Sequence, residues 1–205
     1  MKTNLLPAVK LTVLALIILC VIYPATIWGI AQFVPNKGKG ETVLKNGKVV
    51  GYKRIGQKFT QDKYFNSRPS AVAYNAAGSA GSNKGPSNPD YLIEVQARID
   101  TFLVHNPTVN KADIPAELVT ASGSGLDPNL SPDGAKIQIA RIAKIRNLSV
   151  DDLNKLVDDH TEKPFLGPQV VNVLEINLAV EKLRAFGPRA SSFRATGFRA
   201  SSLKQ

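Results

Sequence analysis

The sequence predicts an α+β protein: one N-terminal transmembrane helix, then a helix-rich domain with a small N-terminal sheet. Three observations carry this. An uncharged run from Leu11 to Val34 is long enough to cross a bilayer. An Asn46-Gly47 dipeptide separates two β-prone stretches. Three capping sequences, beginning at Asn88, Ser131 and Ser149, each open a stretch with helical signals. The chain is thereby divided into an anchor segment over 1–36, a folded domain over 37–186 and a basic tail over 187–205.

The anchor comes first. As a helix, residues 11–34 would rise roughly 36 Å, slightly more than a ~30 Å hydrocarbon core. A cleaved signal peptide would have a shorter apolar region ending at a small-x-small site, and no A-x-A stands at the end of this run. Cys20 follows bulky Leu19, which argues against a lipoprotein site. An uncleaved anchor is therefore expected, with a bend at Tyr23-Pro24 where the proline removes a backbone donor. Tyr23, Thr26, Trp28 and Gln32 give its second half polar edges. They suit either an interfacial aromatic belt or a face packed on another membrane helix. Charge counting leaves orientation open, because long domains translocate largely regardless of loop charge.

Past the anchor, Thr42 to Gly51 reads as a hairpin, since a type I′ turn needs two positive φ values and Asn-Gly supplies them. The segment after Phe59 is dense in Gly, Ser, Asn and Pro and reads as a long loop, with Tyr64, Phe65 and Tyr74 as its anchors. Asn88-Pro89-Asp90 opens a helix with a capping side chain, a proline where no N–H is needed, and an acid in the first turn. Leu92, Val95, Ile99, Phe102 and Leu103 give it a core face, and Asn106-Pro107 ends it. Ser131-Pro132-Asp133 opens a second helix and Ser149-Val150-Asp151 a third, with Val150, Leu153, Leu156 and Val157 on one side. A last helix is expected from about Val170 to Ala185.

The net charge of +10 is concentrated outside any one folded face. Arg189, Arg194, Arg199 and Lys204 put +4 in the tail, and residues 37–58 hold seven basic residues against Glu41 alone. Basic residues beside a membrane suit headgroups or solvent, so nucleic acid is not expected as a partner. One cysteine excludes an internal disulfide framework. His105 and His160 are far apart in sequence, so no metal site is expected. No Walker A pattern occurs; the glycines and lysine around Lys84 lack its spacing. The chain does not read as an enzyme. The tail repeats Phe-Arg-Ala-Ser/Thr without a helical stripe and suits a native extension, a fusion remnant or a shifted reading frame.

Two stretches remain. Ser122-Gly123-Ser124-Gly125 is a small-residue loop whose amides suit either an anion or a tight approach of two segments. Tyr64, Phe65 and Arg68 lie in a loop that either organises the fold or forms an interface. These blocks also carry a resemblance. The anchor with Tyr23-Pro24, GQKFTQDKYFNSRPSA, the SNP before the first helix, ELVTASGSGLDPNLSP, Ile137–Leu148 and QVVNVLEINL resemble the C subunit of the bacterial Kdp-type potassium-transporting ATPase. The similarity runs from about Leu5 to Leu183.

The resemblance implies a non-catalytic accessory subunit of a high-affinity, ATP-driven potassium importer. It implies a single-pass inner-membrane protein with a cytoplasmic N-terminus and an extracytoplasmic main domain. Its partners would be a potassium-translocating, channel-like subunit and a P-type ATPase subunit. It would act as a catalytic chaperone raising the ATP affinity of the latter. The family's likening of this loop to an ABC-type signature motif makes Ser122, Gly123, Ser124 and Gly125 the candidate nucleotide loop. No cofactor is expected to be tightly bound, with ATP met only through the complex. Tyr23, Trp28, Gln32, Tyr64, Phe65 and Arg68 are the candidate partner contacts. A different class of function stays open: a membrane-anchored extracytoplasmic module that binds a ligand or the cell envelope. A secreted hydrolase using Ser122 or Ser124 is a third, weaker reading.

Overall fold

The computed structural model describes residues 2–185, so the basic tail at 187–205 lies outside the described residues. The contacts divide into two compact units between Arg54 and Ile55.

In the first unit, α1 (Lys2–Leu16), a π-helical turn (Ile17–Ile22) and α2 (Tyr23–Ala31) follow without a break. Asn4–Ala31, 28 residues, is the one helix among the described residues long and apolar enough to cross a membrane. It starts before the uncharged run, because Leu5, Leu6 and Val9 extend the apolar surface past Lys10, whose long side chain can reach the headgroups. It stops at Ala31, and Val34 is extended. At the expected bend the chain widens instead of ending. The Tyr23 N–H reaches the Ile18 carbonyl, five residues back. Pro24 has no N–H and its ring crowds the carbonyl four residues earlier, which a wide turn relieves.

The hairpin β1 (Thr42–Lys45) and β2 (Lys48–Tyr52) is antiparallel, pairing Thr42 with Tyr52 and Lys45 with Lys48. Asn46 and Gly47 both have positive φ, 52° and 76°, as a type I′ turn demands. A bulge at the Val43/Leu44 step lets both Val43–Gly51 and Leu44–Val49 pair.

The second unit opens with a long irregular segment and then α3 (Pro89–His105). Asn88 caps α3 by accepting from the Tyr91 N–H at 3.0 Å. None of the α3 residues is fully buried: Phe102 packs on the core, while Leu92 faces solvent. The remaining elements are β3 (Asn129–Leu130), α4 (Pro132–Lys136), α5 (Ile139–Arg146), α6 (Val150–Asp159), β4 (Thr161–Glu162), β5 (Val170–Asn172) and α7 (Val173–Ala185). β5 lies between β3 and β4, antiparallel to both.

The core joins Ile139, Ile142 and Ala143 of α5, Leu153 and Val157 of α6, and Val173, Ile176 and Val180 of α7. Their spacings of three, four and seven are those of one helical face. One boundary differs from the sequence reading. The helix expected from Val170 begins at Val173, because Val170 and Val171 pair as a central strand and β-branched side chains fit that surface. The helix opened by Ser131 breaks at Gln138, whose side chain turns inward to bond the Gly134 carbonyl at 2.9 Å.

Candidate functional site

The organising feature of the second unit is a strap, residues 55–81, laid over α5, α7 and the loop at 118–128. Its centre is Phe65, which has no exposed surface and belongs to the core. A buried ring cannot meet a partner, so the interface role expected of Phe65 is corrected to packing.

Four polar side chains hold the strap by its backbone. Asn177 of α7 accepts from the Phe65 N–H at 2.8 Å and donates to the Phe65 carbonyl at 3.0 Å. Gln138 accepts from the Asn66 N–H at 2.8 Å. Arg141 of α5, 6% exposed, supplies the largest share. Its Nε donates to Asn106 Oδ1 at 3.0 Å, Nη1 to the Asp62 and Tyr64 carbonyls, and Nη2 to Asn66 Oδ1 and Gln138 Oε1. Burial lowers the Arg141 pKa and nearby Asp62 opposes that shift. Arg146 Nε adds a bond to the Lys63 carbonyl at 2.6 Å, with its guanidinium 4.9 Å from the Tyr64 ring centroid.

Gln138, Arg141 and Asn177 were not singled out as functional residues from the sequence. The signal was present: each is a polar residue beside apolar core positions, at Ile139, Ile142 and Ile176. A polar group there must find buried acceptors or donors.

Tyr64 is half-buried and its hydroxyl donates to Glu181 of α7. Arg68 Nη1 lies 2.9 Å from Asp127 Oδ2, tying the strap to the loop before β3. Asp127 in turn accepts from the Asn129 N–H at 3.0 Å.

Both tyrosines of the strap titrate high. The hydrogen bond to Glu181, then burial, raises the Tyr64 pKa. Burial raises that of Tyr74, whose hydroxyl donates to the Arg68 carbonyl. A folded pKa above the unfolded value of about 10 means that the contribution to stability is complete below that pH. It is lost as pH rises through the raised folded values. The melting temperature is expected to fall above about pH 10, and to fall less steeply in Tyr74→Phe. Equal slopes in the two proteins would contradict this.

The small-residue loop is pressed against the strap. The Ser122 N–H donates to the Pro69 carbonyl at 3.1 Å, the Gly125 N–H to the Ser122 carbonyl, and the Leu126 N–H to Ser124 Oγ. From the strap, Ser70 Oγ donates to the Gly125 carbonyl at 2.7 Å and Ser79 Oγ to the Ser124 carbonyl at 2.9 Å. Ser122 is buried. Two of the loop's own amides, those of Ser122 and Gly125, are thus engaged within the fold, as is that of Leu126 just after it, in keeping with a tight approach of two segments.

His105 Nδ1 lies 2.9 Å from Asp62, and His160 Nδ1 lies 2.9 Å from the Leu156 carbonyl. Among the described residues no three of His, Cys, Asp and Glu gather to hold a metal ion. A cavity of about 390 Å³ lies between α3 and the strap, with Ala97, Phe102 and Leu118 on its walls beside the Asp62–His105 pair.

In the first unit, Tyr23 and Trp28 are exposed on α2. Thr26 Oγ1 donates to the Ile22 carbonyl at 2.8 Å and Gln32 Nε2 to the Trp28 carbonyl at 3.1 Å. These polar groups are therefore satisfied by their own helix.

A family model described as KdpC, K+-transporting ATPase, c chain, matches residues 5–182. A potassium-transporting ATPase KdpC subunit of Flavobacterium psychrophilum is 59% identical over 182 residues, covering 88% of this chain and 99% of its own. The subunit of the same name from Bacteroides fragilis is 49% identical over 190 residues, 90% of this chain and 99% of its own. That of Caldanaerobacter subterraneus is 44% identical over 177 residues, 84% and 91% respectively. With an apolar N-terminal helix ahead of an α+β domain, and this match over most of its length, the chain belongs to the KdpC family, the c chain of K+-transporting ATPases.

Proposed function

We propose that this chain is a non-catalytic accessory subunit of a high-affinity, ATP-driven potassium importer. Membership of the KdpC family over residues 5–182 carries the reading. The helix at Asn4–Ala31 anchors it in the inner membrane, with the N-terminus cytoplasmic and the main domain over residues 37–186 outside. There it stabilises the assembly of a potassium-translocating, channel-like subunit with a P-type ATPase subunit.

It also raises the ATP affinity of the ATPase subunit. An extracytoplasmic Ser122–Gly125 loop does not meet cytosolic ATP, so the coupling runs through the membrane helices. No cofactor is held tightly by the chain itself. The engaged amides of Ser122, Gly125 and Leu126 support a structural use of the loop.

Two contacts are proposed with the larger subunits. Exposed Tyr23 and Trp28, with Gln32 one turn on from Trp28, form the membrane contact. Interhelical packing in lipid rests on close fit as well as on hydrogen bonds, and here the fit of the two rings carries it. Tyr64 and Arg68, at the outer edge of the strap, form the second contact.

Co-purification from gently solubilised membranes tests this. The wild-type chain is expected to bring down both larger subunits. An unrelated apolar helix in place of the anchor is expected to weaken recovery, and Arg68→Ala to weaken it further. The pump's half-saturating ATP concentration is expected to rise about fivefold or more without the subunit, the usual scale of a coupling between sites. If the swapped, Arg68-substituted protein co-purifies at wild-type stoichiometry and supports growth on limiting potassium, both contacts are wrong.

A further inference from the structure

The β1–β2 hairpin stands apart from the core. Among the described residues its strands pair only with each other, and none of its side chains joins the core cluster or the apolar residues packed around it. Pairing puts Leu44 opposite Val49 and Thr42 opposite Tyr52, and residues two apart on a strand share a face. Leu44, Val49 and Tyr52 therefore lie together on one side, 61%, 57% and 43% exposed. A lone two-stranded hairpin is at best marginally stable in water, so an exposed apolar face on one needs a cover.

Position narrows the choice of cover. Past Ala31 the chain turns back on the last turn of α2: a Cβ added at Gly38, where φ is +71°, would lie 3.0 Å from the Ala31 Cβ. Thr42 is four residues further on, a reach of at most roughly 14 Å. The hairpin is thus tethered at the level where an apolar helix leaves the hydrocarbon, a depth that suits lysine and tyrosine side chains.

Charge settles it. Over residues 37–54, Lys37, Lys39, Lys45, Lys48, Lys53 and Arg54 stand against Glu41 alone, a balance of +5. Glu41 faces Arg54 at 3.7 Å. At the turn Lys45 is directly opposite Lys48, a like-charge pair that weakens a hairpin in water and that an anion relieves. Anionic headgroups draw basic segments that flank a membrane helix. Long lysine stems reach the phosphates from the rim while an apolar face sinks toward the acyl boundary.

We infer that the β1–β2 hairpin is a headgroup-binding element: its Leu44–Val49–Tyr52 face lies on the leaflet surface, and its lysines hold the phosphates of anionic lipids. This rests on the membrane anchoring of Asn4–Ala31 proposed above.

The test uses the full chain with Cys20→Ser and a nitroxide label on Val49→Cys, in vesicles of phosphatidylcholine alone or with phosphatidylglycerol added. With phosphatidylglycerol the label is expected to be shielded from a water-soluble nickel chelate. In phosphatidylcholine alone, or in high salt, it is expected to be open to the chelate. Lys45→Gln with Lys48→Gln is expected to lower the ratio of seated to free hairpin about tenfold or more in the mixed vesicles, since each basic residue adds to the attraction. Equal shielding in both vesicle types, or none in either, overturns the inference. In native membranes a photoreactive phenylalanine analogue at position 52 is expected to cross-link to lipid. Cross-linking only to a larger subunit, or only to a second copy of this chain, overturns it as well. If alkali strips the chain from membranes, the anchoring reading itself falls. If the chain stays embedded and the label is indifferent to headgroup charge, the hairpin inference alone falls.

Discussion

Replacing Arg141 with alanine is expected to cost the second unit about 3–5 kcal/mol, the usual loss when one partner of a buried charged network is removed. The five groups that Arg141 serves explain the size. The Asp62 and Tyr64 carbonyls, Asn66 Oδ1, Asn106 Oδ1 and Gln138 Oε1 all lose a charged donor at once. Each such bond contributes about 1.5–3 kcal/mol singly, but they share one side chain and do not add. At about 2–4 °C per kcal/mol for a domain of this size, the melting temperature should fall by roughly 10 °C or more. Circular dichroism of the full chain in detergent reads this. Arg141→Lys keeps the charge but lacks the planar fork, so most of the loss should remain. A variant melting within about 2 °C of wild type would mean the strap is held by other residues.

Arg141 also marks what the sequence hid. Asn88, Ser131 and Ser149 announce their helices because capping is local: the side chain bonds an amide two or three residues on. The Asn46-Gly47 turn is legible for the same reason. Phe65 reaches Asn177 across 112 positions, and Asn66 reaches Gln138 across 72. No window of sequence contains such a pair, so a polar residue on an apolar helix face reads as an interruption. β3, β4 and β5 escaped for a related reason. They are two or three residues long and exist only through pairing with each other.

The site was legible in the same uneven way. The Arg68 loop was found by composition, with its two possible uses left open. The structure gives the fold-organising use a partner, Asp127, and moves Phe65 inside. The family was legible because its blocks are unusual in combination. The match over residues 5–182 bears that out.

Within the small-residue loop, two glycines that look equivalent in sequence are expected to behave oppositely. Gly125 has φ +68°, and an added Cβ would lie 2.6 Å from Val72 Cγ2 and 2.8 Å from the Ala80 carbonyl oxygen. Gly123 has nothing within 4 Å of that position and no positive φ. Gly125→Ala must accept a left-handed backbone, about 1–2 kcal/mol, and displace the strap, about 1–3 kcal/mol more. A loss of roughly 2–5 kcal/mol is therefore expected for Gly125→Ala. Gly123→Ala should stay within about 0.5 kcal/mol of wild type, as exposed substitutions usually do. Denaturant unfolding compares them. Function then separates the two uses of the loop. If Ser122–Gly125 is a packing junction, transport should follow stability: Gly123→Ala normal, Gly125→Ala impaired and partly restored at lower temperature. If the loop cradles a nucleotide or another anion, Gly123→Ala should impair transport while leaving stability unchanged, and that result would sink the structural reading.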